Sequence, residues 1–180
     1  GAFGDAGCIV TDDAALAQKF RVFRNYGSEK KYHNAVVGCN SRLDELQAGL
    51  LRVKLKHMAE FNEERCRIAA RYMEGIKNPY IRLPHIRPGA DSTWHQFVIH
   101  TAARDSLLEY LKGQGIGTMI HYPIPPHLAE AYCCLGYKAG DFPIAEKYAA
   151  EVLSLPMYNG MTEAEQNQVI EAINDFRLET

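Results

Sequence analysis

Gly38-Cys39-Asn40-Ser41-Arg42-Leu43-Asp44-Glu45-Leu46-Gln47-Ala48-Gly49-Leu50-Leu51-Arg52-Val53-Lys54-Leu55-Lys56 is the stretch whose reading decides the fold. Leu43, Leu46, Leu50 and Val53 recur at alternating spacings of three and four, so an apolar stripe runs along a helix, with Arg42, Glu45, Arg52 and Lys56 largely off it. Asn40 and Ser41 are both N-cap residue types, and Asp44 and Glu45 then fall in the first turn, where the helix dipole favours negative charge. A helix start preceded by Gly38, capped by an amide and a hydroxyl and carrying Arg42 in its first turn can hold an anion such as a phosphate. As a simple cap, the same pair needs no ligand at all.

Upstream of this stretch, Gly4-Asp5-Ala6-Gly7 reads as a turn and Cys8-Ile9-Val10 as a short buried strand. Thr11, Asp12 and Asp13 are cap candidates for a helix whose apolar face carries Leu16, Phe20 and Phe23, ending near Asn25-Tyr26-Gly27-Ser28. Strand then helix predicts the tail of an α/β domain. Residues 29–37 are polar and aromatic and read as a loop, so Tyr32 and His33 either border a pocket at Asn40 or are simply solvated.

Downstream, the Asn40 helix is predicted to continue, with a bend, through Phe61, Ile68, Tyr72 and Ile76 to Asn78-Pro79. So long a helix would connect two domains. Ile81–Leu83 and Thr93–His100 read as strands, with Trp94, His95 and Phe97 as packing residues, and 105–114 as a helix ending at Gly115. Ile116–Tyr122 reads as a strand stopped by Pro123, Pro125 and Pro126. A helix follows through Ile144, Tyr148 and Val152, then an extended link at Ser154–Met157. Thr162 and Glu165 form a capping box before a last helix carrying Val169, Ile170, Ile173 and Phe176. These elements predict a small α+β domain with helices on one face of a mostly antiparallel sheet.

The 180 residues, 47% of them hydrophobic, suffice for one moderate domain and part of another. A formal charge of -2 with Lys and Arg scattered along the chain offers no basic face for nucleic acid or a membrane surface. Cys8, Cys39, Cys66, Cys133 and Cys134 form no metal-ligand spacing and no even disulfide set, so they read as reduced thiols of a cytoplasmic protein. No metal is expected. The chain opens Gly-Ala-Phe-Gly, without an initiating Met or a leader, and so is expected to be an excerpt of a longer protein.

Five strings carry a resemblance to a known family. Gly38 to Leu55, the 4–13 run Gly-Asp-Ala-Gly-Cys-Ile-Val-Thr-Asp-Asp, Arg24–Ser28, Gly115–Pro123 and Leu153–Tyr158 resemble, in order and approximate separation, segments of the DegT/StrS-type sugar aminotransferases. These are fold-type I enzymes dependent on pyridoxal 5'-phosphate (PLP). The resemblance implies a tail of the large PLP-binding domain over 1–38, a long connecting helix over 39–78 and a small C-terminal domain over 79–180. It also implies a homodimer in which Asn40 reaches the PLP phosphate of the neighbouring subunit.

The same resemblance implies amino transfer from an amino acid, typically glutamate, to a keto-sugar nucleotide in amino-sugar or polysaccharide biosynthesis. His121 and Tyr122, at the end of a strand before a proline-stiffened loop, are assigned to substrate binding, with Tyr32 and His33 as further candidates. Arg42 either pairs with a substrate oxygen through its fork of donors or makes a surface ion pair. The family's Schiff-base lysine precedes the Gly-Asp-x-Gly turn and so would lie upstream of Gly1; the chain alone is then expected to be inactive. Two rival readings stand beside this one: a non-catalytic regulatory or dimerisation protein of the same fold, and an aminocyclitol- or aminobenzoate-type synthase.

Overall fold

The computed structural model describes residues 2–178. The chain divides into two compact units, one ending at Ala59 and the other beginning at Glu60.

In the first unit, α1 (Ala14–Phe23) starts where expected, with the Asp13 carboxylate accepting the Leu16 N–H at 3.0 Å. The predicted loop is instead a small hairpin of β1 (Ser28–Lys30) and β2 (His33–Asn34), with Tyr32 at φ 70° in the turn. Cys8–Val10 forms no ladder, because a strand needs a neighbour and the described residues provide none there; Ile9 and Val10 are exposed.

The predicted helix start at Asn40 is also corrected. Cys39 N–H donates to Phe23 O, Tyr26 N–H to Cys39 O and Ser41 N–H to Arg24 O, at 2.9 to 3.0 Å, so the segment lies extended beside the end of α1 with Asn25 bridging Asn40. A backbone pinned in that ladder cannot also turn into a helix, and α2 (Glu45–Leu55) begins five residues later on Asp44, whose side chain makes no cap bond. Arg42 therefore precedes the helix. Glycine is obligatory at the crossing: a Cβ on Gly27 would lie 1.7 Å from the Val36 carbonyl oxygen, and one on Gly38 2.2 Å from the Gly27 nitrogen. Val22 is the one buried hydrophobic residue of this unit among those described, and Leu46, Leu50 and Val53 of the predicted stripe are exposed.

The predicted long connector is two helices. Lys56 N–H donates to Val53 O and His57 N–H to Lys54 O, i to i−3 bonds that tighten and end α2 before α3 (Met58–Gly75) begins.

The second unit is built on an antiparallel pair, β3 (Phe97–His100) and β4 (Val152–Leu155), in the register Phe97 to Leu155, Val98 to Ser154, Ile99 to Leu153 and His100 to Val152. β4 takes in Val152, predicted as helix, and Ser154 and Leu155 of the expected extended link, whose Pro156 and Met157 follow the strand. Single bridges, Arg82 to His100 and Met119 to Ser154, continue the sheet on either side where fuller strands were predicted. Directly opposed residues share a face, so Phe97, Ile99, Leu153 and Leu155 point to one side. There they pack with Ile68, Tyr72 and Ile76 of α3, Leu107 and Leu111 of α4 (Arg104–Gly113), and Val169 and Ile173 of α6 (Glu163–Asp175). Trp94 stacks on Phe97 at 5.4 Å, whereas His95 is exposed.

Polar anchors close this core. Asn78 donates to Ile173 O and Phe176 O at 2.7 and 2.9 Å, satisfying the end of α6, whose start carries the predicted Thr162–Glu165 capping box. Arg65 spreads its guanidinium over Trp94 O, His95 O, Met157 O and Asn159 Oδ1. Leu153→Ala should lower the unfolding free energy by about 2–5 kcal/mol, and Thr162→Ala by about 0.5–2 kcal/mol, in urea titrations. A Leu153→Ala cost below that of Thr162→Ala would mean that β4 is not in the core.

Candidate functional site

The opposite face of the β3–β4 pair, which carries Val98, His100, Val152 and Ser154, is not packed by α3, α4 and α6. Its Val98, His100 and Val152 floor a cavity of about 600 Å³ walled by His121, Tyr122, Ile124 and Pro125 on one side and by Ala145, Tyr148 and Ala149 of α5 (Pro143–Glu151) on the other. That volume suits a small-molecule site. His121 Nδ1 lies 2.8 Å from the buried Ser154 Oγ, and the His121 ring meets Tyr122 edge-on at 5.4 Å. Tyr122 is 72% exposed, so its phenol is available to a ligand. His100 packs against Tyr148 at 4.6 Å, and its buried Nδ1 has no hydrogen-bond partner. Burial first, and the Arg82 charge second, hold His100 below the usual histidine range, so it is neutral at pH 7.

A second cavity, of about 370 Å³, shares Pro126 and Ala145 with the first and is lined by His127, Tyr132, Leu135, Tyr137 and Phe142. Its walls are the 3-10 turns Pro126–Leu128 and Glu130–Leu135. One carboxylate organises this lobe: Glu146 accepts the Gly140 N–H at 2.8 Å and the Phe142 N–H at 3.3 Å, and its Oε1 lies 3.0 Å from His127 Nε2. The Gly140 N–H, followed by the His127 contact, holds the Glu146 carboxyl below the usual carboxylate range.

Of the residues singled out from sequence, His121 and Tyr122 are brought together in the larger cavity. Asn40, Arg42, Tyr32 and His33 belong to the other unit. Asn40 is exposed, and its amide makes no hydrogen bond among the described residues, although its flanking backbone is pinned. Arg42 makes no ion pair there; its guanidinium sits over the Tyr26 ring at 5.4 Å. Tyr32 is exposed beneath Lys31, and His33 is exposed on β2. Sequence reasoning missed His100, Tyr148 and Ser154. The signal was present at His100, which alternates with the buried Phe97 and Ile99, but Ser154 required the strand register.

The sequence pattern of the DegT/DnrJ/EryC1/StrS aminotransferase family matches residues 2–174. The chain is 51% identical over 158 residues to the erythromycin biosynthesis sensory transduction protein EryC1 of Saccharopolyspora erythraea, covering 87% of this chain and 43% of that protein. It is 47% identical over 170 residues to the dTDP-3-amino-3,6-dideoxy-alpha-D-galactopyranose transaminase of Aneurinibacillus thermoaerophilus, covering 94% and 46%. The crystal structure of DesV from S. venezuelae, solved in complex with a ketimine intermediate, superposes with a TM-score of 0.96 at 42% identity, covering 99% of this chain and 49% of that one. The chain thus spans about half the length of the relatives it matches. No helix among the described residues is long and apolar enough to cross a membrane.

The depressed Glu146 value sets a sign for pH dependence. Its contribution is fully present above the ordinary carboxylate value of 4.5 and is lost as pH falls through the lower folded value. Amide exchange at Gly140 and Phe142, corrected for intrinsic rates, should accelerate below that value and, in Glu146→Gln, by about tenfold already at neutral pH. Unchanged exchange in the variant would show that the carboxylate does not hold the lobe.

Proposed function

Since the chain belongs to the DegT/DnrJ/EryC1/StrS aminotransferase family, we propose that it is the C-terminal part of a PLP-dependent enzyme that moves an amino group from an amino acid, glutamate by preference, onto a keto-sugar nucleotide. Its product would feed amino-sugar or polysaccharide synthesis. The observation that carries this reading is the likeness of nearly the whole chain to a protein named as a dTDP-amino-sugar transaminase.

The residues present fit the cofactor. PLP, when bound, supplies the electron sink that lets an amino group leave one carbon and join another. Asn40 offers an unengaged amide donor from a pinned extended backbone, which suits a phosphate oxygen. The amide thus does by itself what the sequence assigned to a helix start. Arg42, free of any carboxylate among the described residues, adds positive charge in the same segment. His121 and Tyr122 orient the sugar in the larger cavity by hydrogen bonds from ring nitrogen and phenol. Tyr32 and His33 lie exposed on the hairpin, available to the phosphates or base of the nucleotide.

Ile9, Val10, Val37, Leu46 and Leu55 are all exposed, Val37 by 94%, in a unit that buries little of its own apolar surface. This supports an intact enzyme in which further sequence and a second subunit cover that surface, with Asn40 serving the twin subunit's cofactor. The lysine that carries PLP would come from the preceding sequence, leaving the chain inactive alone. The name of EryC1 favours a second reading, a regulatory protein of the same fold.

The full-length gene product, purified with PLP, should show the visible absorbance of bound cofactor and aminate a dTDP-keto-sugar with glutamate. Asn40→Ala should weaken PLP binding by about tenfold or more, the loss of one hydrogen bond to a charged group. Absence of both absorbance and turnover would favour the regulatory reading, and turnover only with a ketocyclitol would replace the sugar substrate.

A further inference from the structure

We infer that Ser154 is a positioning residue that fixes His121 in its Nε2–H tautomer, so that His121 meets the ligand of the larger cavity as a hydrogen-bond donor. The inference rests on the reading above, that this cavity takes the sugar substrate.

Three observations lead to it. The first is the rigidity of the serine. Ser154 is 5% exposed, its N–H donates to Met119 O at 2.8 Å, and its carbonyl accepts the Met119 N–H at 3.2 Å, while Val98 lies opposite on β3. Met119 thus engages both polar groups of its backbone, and the flanking Leu153 and Leu155 pair with Ile99 and Phe97 of β3. The second is placement. His121 stands two residues after Met119, the partner of Ser154 in that bridge, so an extended chain puts its side chain on the same face as the serine hydroxyl. The 2.8 Å contact to Nδ1 follows.

The third is proton accounting. The serine hydroxyl carries one proton, and His121 Nδ1 is its one partner among the described residues. Were Nδ1 protonated, it would donate to Oγ and leave a buried hydroxyl proton without an acceptor, an arrangement folded proteins avoid. With the hydroxyl donating to a bare Nδ1, both atoms are satisfied. The ring proton then sits on Nε2, the nitrogen that Ser154 does not occupy, and His121 lines the cavity. The ligand atom opposite it is an acceptor, a hydroxyl, carbonyl or phosphate oxygen.

The test uses the full-length, cofactor-loaded gene product with a dTDP-keto-sugar as acceptor. Ser154→Ala should raise the KM for the sugar nucleotide by about tenfold while changing kcat by no more than about twofold, because a ligand-orienting hydrogen bond is weakened and no reacting group is removed. Ser154→Thr, which keeps the hydroxyl, should restore KM, and Ser154→Ala should add nothing in a His121→Ala background. In wild-type protein labelled with 15N-histidine, the resonances that vanish in His121→Gln should show Nδ1 bare and Nε2 protonated, a readout that needs no variant of Ser154. A protonated Nδ1 overturns the inference, as does a Ser154→Ala KM equal to wild type when His121→Ala raises it. Should His121→Ala itself leave KM unchanged, the substrate assignment of the cavity falls, and the inferred donor role to substrate falls with it; the nitrogen spectra of wild type and Ser154→Ala would still tell whether Ser154 sets the tautomer.

Discussion

The pairing register of β3 with β4 is the constraint on which the larger unit depends. Side chains alternate with a period of two, so the pairs Phe97–Leu155 and Ile99–Leu153 fall on one face, and Val98–Ser154 and His100–Val152 on the other. The first face is the hydrophobic core with α3, α4 and α6; the second is the floor of the larger cavity. A slip of β4 by one residue would carry Ser154 into the apolar interior and expel Leu153 and Leu155 from the core. Stability and site geometry are thus fixed by the same few hydrogen bonds.

Polar groups around that frame act mainly by holding backbone. Asn78 closes the end of α6, Arg65 gathers four oxygens from two loops, and Glu146 collects the turn at Gly140 and Phe142 together with His127. In the smaller unit the contact between Gly27 and Gly38 does similar work, because only residues without a Cβ let the two backbone segments approach so closely. Asn40, two residues on from that contact, is exposed on a backbone whose conformation is already fixed. Such a side chain loses little backbone entropy when it takes a ligand.

Local signals were the legible ones. The Thr162–Glu165 box, the Asp13 cap and the spacing of Val169 and Ile173 each concern a few neighbouring residues, and each element stands where the sequence predicts it. The antiparallel character of the sheet was legible too. Readings failed where distant partners decide. Asn40 and Ser41 are good cap residues in isolation, yet the carbonyls of Phe23 and Arg24 compete for their segment and win. β4 is four residues long, follows α5 directly and is interrupted by a serine, so its strand character comes from its neighbours rather than its own pattern. His121 and Tyr122 could be found through a family likeness, whereas Ser154 and His100 required knowing which residues face each other across two strands.

The most direct measurement of this account is a crystal structure of the full-length gene product with PLP and a dTDP-sugar bound. Sugar density over the Val98, His100 and Ser154 face, with a ligand oxygen within hydrogen-bond reach of His121 Nε2, is the predicted result. Sugar density elsewhere, with that face filled by packed side chains in the assembled enzyme, would contradict it.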